Sequence, residues 1–326
     1  MNSSGLGLGY EGGKNEAEKK LAGDIRRCFS RTGLVYVIFL MVSMASQWLA
    51  VIILEHTGLA EDMSWNLYML IAMFSMYPAA VPLTGLLARW VPSAGGTGHE
   101  RWGIGKLAGF FVFSMGILYA GNIAGVVLMG VAGIIKGETI VNDMQEVIMS
   151  MNPGAIILSA VIVAPIMEEL VFRKFLLDRI AGYGHWTAMV VSGVIFGVAH
   201  GNFYQFFYAF GLGMVFAYIY LRTGRVGYTI GFHMLINFWG SILPMGLLKI
   251  AEINAVMGGI LAMGNMMMML GFMICALVLF CCCRRDLQFD RGIQGLSAGK
   301  KSRAVWINIG MVLFLLWGAV TFARSL

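Results

Sequence analysis

The sequence predicts an all-α fold: a multi-pass transmembrane helical bundle of about eight or nine helices. Three observations predict it. Of the 326 residues, 59% are hydrophobic and only 12% charged, and the mean hydropathy is +0.77, whereas a soluble domain carries about 25% charged residues. Apolar windows of about 20 residues recur along most of the chain. The 43 glycines and 25 methionines suit helices packed in lipid, where small residues admit close approach and methionine fills irregular gaps.

Taken in order, residues 1–32 are rich in Gly, Ser, Lys and Glu and read as a disordered cytoplasmic tail. Apolar spans follow at 33–54, 66–90, 107–135, 154–181, 186–200, 203–222, 226–247, 255–283 and 304–323. Each must be helical, because lipid offers the backbone no hydrogen-bond partners. The first is too long for the apolar region of a signal peptide. The chain therefore divides into the tail 1–32, N-terminal transmembrane helices 33–150, a central helical core 151–247 and C-terminal transmembrane helices 248–326. The long basic linker 284–303 reads as setting the last span apart from the rest.

Charge lies in the connectors. Lys14, Lys19, Lys20, Arg26, Arg27 and Arg31 precede the first span, and Glu55, Glu61 and Asp62 follow it. Arg89, Arg101 and Lys106 come next, then the mainly acidic Glu138, Asp143 and Glu146. This alternation places the N-terminus in the cytoplasm of a cell-membrane protein. The net charge of +6 belongs to these loops. No aromatic-interleaved basic patch is present, so no nucleic-acid partner is expected. The Cys281–Cys282–Cys283 run beside Arg284 and Arg285 admits acylation, but small apolar residues at a helix end are the simpler reading. No pair of Cys-x-x-Cys units suggests a thiolate metal site.

Ionisable residues inside the spans are few and concentrated. The fourth span carries Glu168, Glu169 and Arg173, the fifth ends on His200, and the seventh holds His233 and Asn237. A charge near the bilayer centre costs at least about 2.5–3.5 kcal/mol, so such residues mark function by default. Glu169 and Arg173 stand one helical turn apart, which predicts an ion pair. Glu168 points about 100° away and is the spare carboxylate. Pro165 cannot donate to the Val161 carbonyl, which predicts a bend one turn before Glu168. Phe196, one turn before His200, is placed to pack on its ring. His233 and Asn237 share a helix face and offer adjacent donors. A carboxylate, an imidazole and a His/Asn pair suit peptide hydrolysis: the first two hold and deprotonate a water, and the pair stabilises the oxyanion. The structural alternative makes both glutamates partners of Arg173.

The pattern Glu168-Glu169-x-x-x-Arg173, Phe196-x-x-x-His200, His233-x-x-x-Asn237, with Phe210-Gly211-x-Gly213 and Tyr220-Leu221-Arg222-Thr223-Gly224 between the last two motifs, resembles the CPBP family of CAAX-protease and bacteriocin-processing (Abi) membrane endopeptidases. The resemblance covers about residues 154–245 and makes 151–247 the catalytic core. It implies that Glu168, helped by His200, activates water, that His233 and Asn237 stabilise the oxyanion, and that Glu169, Arg173 and Phe196 support them. The substrate is then a peptide or protein at the lipid bilayer; the oligomeric state is not legible. A metal-independent mechanism is expected, with zinc or another divalent ion held by Glu168, His200 and His233 as the alternative. The rival classes are a non-catalytic bacteriocin-immunity or scaffold protein and a proton-coupled transporter using Glu168 and His200 as relays.

The charge alternation predicts that a topology reporter fused after Glu55 reads external and one fused after Arg101 reads cytoplasmic; the opposite pattern overturns the orientation.

Overall fold

The structure, a computed structural model, describes residues 5–326, with side chains from residue 15 onward. All regular structure among the described residues is helical. The helices are α1 (Gly5–His56), α2 (Trp65–Phe74), α3 (Met76–Ala88), α4 (Ile104–Lys136), α5 (Asp143–Ser150), α6 (Pro153–Tyr183, interrupted by wider turns), α7 (His185–Ala199), α8 (Phe203–Thr223), α9 (Val226–Ile253), α10 (Ala255–Cys283), α11 (Ala298–Trp306) and α12 (Ile309–Arg324).

All nine apolar stretches are helical. Among the described residues, seven helical segments are long and apolar enough to cross a membrane, or eight if α11 and α12, bent by 65° at their junction, count as one. The α2–α3 pair forms one of these, broken at Ser75. The α7 helix, with 15 residues, is the shorter exception. Helix starts are set locally: Asn152, Asn202, Asn254 and Asn308 each accept a backbone N–H three residues on, filling one of the donors that a helix N-terminus leaves free.

Two expectations are corrected. Residues 5–32 are not a disordered tail but the first turns of α1; residues 1–4 lie outside the described residues. Ile25, Cys28, Phe29 and Thr32 recur at helical spacing and are almost fully buried, so this stretch has an apolar face with a core to join. The last span is not set apart either. Met311 and Phe314 of α12 are fully buried, and α12 packs along α1. The linker before it folds back under the α6–α7 turn, where His185 N donates to Asp290 O (2.9 Å) and Ile293 N to Gly182 O (2.9 Å).

The centre of the bundle is α8. It packs between α7 and α4, with α10 outside α4 and α1 against both α3 and α12. At its end Arg222 pairs with Glu100 and donates to Gln288 Oε1 (2.7 Å). The Trp102 indole N–H, with Arg222, holds the Glu100 carboxyl below its usual range.

The α1–α12 contact depends on glycine. A Cβ at Gly33 would collide with the backbone of Gly310, and a Cβ at Gly310 with the Ser30 carbonyl. Such small-residue contacts let helices meet backbone to backbone in lipid. Gly310→Ala is therefore expected to destabilise the fold by about 1–3 kcal/mol through overpacking, read as a lowered thermal midpoint in detergent. An unchanged midpoint refutes so close an approach.

Candidate active site

The polar cluster begins with the distortion of α6. Two stretches, Ile157–Val163 and Leu170–Phe175, take the wider i→i+5 hydrogen-bond register, and the short α-helical piece Ala164–Glu169 lies between them. Such π-turns occur often at functional sites. The first has a readable cause. Pro165 has no N–H to donate, and the Ala164 N–H bonds to Ser159 O. The Ala160 carbonyl thus loses its α partner, residue 164, and its π partner, residue 165, has no proton. Asn237 Nδ2 fills the vacancy from α9, at 2.8 Å. The expected bend at Pro165 is thus realised as a widened turn.

The second stretch is supported in the same way. Tyr36 Oη of α1 donates to Val171 O (2.6 Å). Phe172 O accepts from Ser192 Oγ of α7 (3.3 Å) and from Arg173 Nη1 (3.3 Å). Each i→i+5 insertion turns the residues beyond it by about one residue, ~100°, so these donors hold the direction in which the motif points.

Between the two stretches the motif side chains meet. Arg173 Nε lies 3.0 Å from Glu169 Oε2, and both side chains are fully buried. The guanidinium donates to Ser192 Oγ (2.9 Å) and lies over the rings of Phe196 (4.7 Å) and Phe216 (5.7 Å). The expected Glu169–Arg173 pair is therefore present. The second oxygen of Glu169 contacts His233 Nδ1 at 3.1 Å. Glu168 Oε2 lies 3.8 Å from His233 Nε2, and the Glu168 side chain keeps 24% exposure. Of the two glutamates the spare one thus keeps partial exposure, with its Oε2 buried and without a hydrogen-bond donor.

His200 caps α7. Its Nδ1 lies 2.8 Å from Phe196 O, and its ring stands edge-on to Phe196, with centroids 4.8 Å apart. Phe196 packs on the His233 ring as well, at 5.8 Å, so one phenyl ring positions both imidazoles. No ion-pair contact joins His200 to either glutamate among the described residues.

Hydrogen-bond polarity then sets the tautomers. A carbonyl only accepts, and so does a carboxylate paired with arginine. Nδ1 of both histidines therefore carries a proton, and Nε2 of each ring is the nitrogen left for a further partner. The expected His233/Asn237 donor pair is altered accordingly: the ring N–H of His233 faces Glu169, and one N–H of Asn237 faces Ala160 O. Among the described residues, no three His, Cys, Asp or Glu side chains are arranged to hold a metal ion. Glu168, His200 and His233 do not form a preset ligand set.

Sequence reasoning missed Tyr36, Phe216, the Asn202, Gln205, Tyr208 series and Ser192, the hydrogen-bond partner of Arg173. Nothing in the sequence points to Tyr36, 135 positions from its partner. The i, i+3, i+6 polar series on α8 was visible in an otherwise apolar helix.

Residues 150–239 match the family described as type II CAAX prenyl endopeptidase Rce1-like. The chain is 30% identical over 166 residues to the Bacillus subtilis protein named "Putative membrane peptidase YdiL", covering 49% of this chain and 66% of that protein. It is 35% identical over 85 residues to the membrane-embedded CAAX protease MroQ of Staphylococcus aureus, covering 23% of this chain and 34% of that one. The matched stretches thus span less than two thirds of either relative. No solved structure matches.

Removing one partner of a buried ion pair costs about 3–5 kcal/mol. Arg173→Ala is expected to lower the folded yield much more than the turnover of each folded molecule, and Arg173→Met combined with Glu169→Gln to recover part of that yield. Size-exclusion recovery beside specific activity checks this. Normal folding with lost turnover places Arg173 at the substrate instead.

Proposed function

We propose that this chain, whose residues 150–239 match the type II CAAX prenyl endopeptidase Rce1-like family, is a CPBP-type membrane endopeptidase that hydrolyses a peptide bond in a membrane-associated protein or peptide. The observation that carries the reading is the division of labour between two adjacent glutamates. Glu169 is spent on Arg173 and His233, while Glu168 keeps partial exposure, 3.8 Å from Nε2 of His233.

In this reading Glu168 takes a proton from a water that His200 Nε2 also holds. The water oxygen attacks the scissile carbonyl carbon, and the carbonyl electron pair moves to its oxygen. The second N–H of Asn237, the one not given to Ala160 O, donates to that oxyanion. Glu168 then returns the proton to the leaving amine nitrogen as the C–N bond breaks. His233 shares the proton of Glu168, and Glu169 keeps its ring in the required tautomer. A carboxylate supplies the base, so the proposal assigns no step to a metal. The substrate class is a CAAX-type or bacteriocin-type segment presented at the lipid surface.

General acid–base catalysis contributes about 10²–10⁴ in rate, so Glu168→Gln is expected to lose at least that much turnover while folding normally. The measurement uses purified protein in lipid with quenched peptides, prenylated and unprenylated. Near-normal turnover in Glu168→Gln ends the glutamate mechanism. No cleavage by the unaltered chain, with proton-driven uptake or tight peptide binding in its place, moves the protein to the transporter or scaffold class.

A further inference from the structure

A peptidase of this kind needs donors for the oxyanion, and the hydrogen-bond network has taken two of the expected ones. His233 gives its ring proton to Glu169, and Asn237 gives one of its two to a backbone carbonyl. A third group stands beside His200. We infer that Tyr208 of α8 is a further catalytic residue, donating its phenolic O–H to the oxyanion; this rests on the peptidase reading above.

The argument is one of polarity, fixed by two backbone groups whose roles cannot change. The Gln205 backbone N–H must donate, and it donates to Asn202 Oδ1 (3.0 Å). The other end of the Asn202 amide is therefore Nδ2, which donates to the His200 carbonyl (2.9 Å) and to Gln205 Oε1 (2.8 Å). The remaining end of Gln205 is then a donor, Nε2, and it reaches Tyr208 Oη at 2.9 Å. Tyr208 accepts that bond. Its own proton is given to no described residue. The network thus fills the acceptor side of the phenol and leaves the donor side open.

Position agrees with polarity. Gly201, with φ of +69°, makes the tight turn that starts α8 directly after His200. The Tyr208 ring stands edge-on to the His200 imidazole, with centroids 6.5 Å apart. The backbone beneath it is clamped: a Cβ at Gly121 of α4 would lie 2.5 Å from Tyr208 Cα, so α4 holds α8 in place at this residue. A phenol so oriented, partly buried and next to the water-holding imidazole, is preorganised for charge that develops only during reaction.

The test is the kinetics of Tyr208→Phe on a quenched peptide, with Glu168→Gln as control. Losing one oxyanion donor lowers kcat by about 10²–10³. Tyr208→Phe is expected to show that loss with KM and thermal midpoint unchanged, and to bind a peptidyl phosphinate, a tetrahedral analogue, correspondingly more weakly. Gln205→Leu, which frees the phenol to rotate, is expected to give a smaller loss in kcat. Full kcat in Tyr208→Phe overturns the inference, as does a loss confined to KM or to stability. A normal kcat in Glu168→Gln is a different failure, that of the peptidase reading itself.

Discussion

A guanidinium buried in an apolar bundle must be neutralised where it stands, and the rest of this site follows from how Arg173 meets that demand. Its counter-charge is Glu169, one turn earlier on the same helix. Its remaining faces are covered by Phe196 of α7, Phe216 of α8 and the Ser192 hydroxyl. Glu169 in turn holds His233 of α9. One buried cation thereby joins four helices. Because it consumes only one of two neighbouring carboxylates, the other keeps partial exposure and no arginine partner. A lone buried carboxylate would be expelled or protonated; one set beside a neutralised pair and the His233 imidazole has a neighbour with which to share a proton.

The same economy governs the backbone. A helix that widens its register leaves carbonyls without partners, and each orphan is costly where water is scarce. Here Asn237, Tyr36 and Ser192, from α9, α1 and α7, supply the missing protons. The distortion of α6 is thus a shared property of the bundle, since no single helix could sustain it. A residue as distant in sequence as Tyr36 thereby bears on the widened stretch that carries Arg173.

What could be read in the sequence was what local spacing encodes. Hydropathy located nine helical stretches because lipid permits little else. The i,i+4 rule paired Glu169 with Arg173, and the 100° step singled out Glu168. The register of neighbouring helices was not legible. Nothing in the chain says that Asn237 stands opposite Ala160, or that His233 falls between two carboxylates, since both depend on how far α9 slides along α6. Nor did composition distinguish a solvated tail from the first turns of α1. Gly, Lys and Glu dominate that stretch, and its buried stripe of Ile25, Cys28 and Phe29 is too narrow to register in a hydropathy window.

The short helix α7 has a consequence for where a polar side chain can stand. Its 15 residues span about 22 Å, against about 30 Å of hydrocarbon. It lies beside α12, whose 16 residues span about 24 Å, and Gly318 of α12 is in contact with Val198 of α7. Within α7 only Trp186 is exposed, so this short helix faces protein along most of its length. The thinning that a lipid-facing helix of this length would impose on a bilayer is not needed where its ends meet protein. His200 stands at one such end. A helix shorter than the bilayer is thick can thus end on a polar side chain, His200, among its neighbours in the bundle.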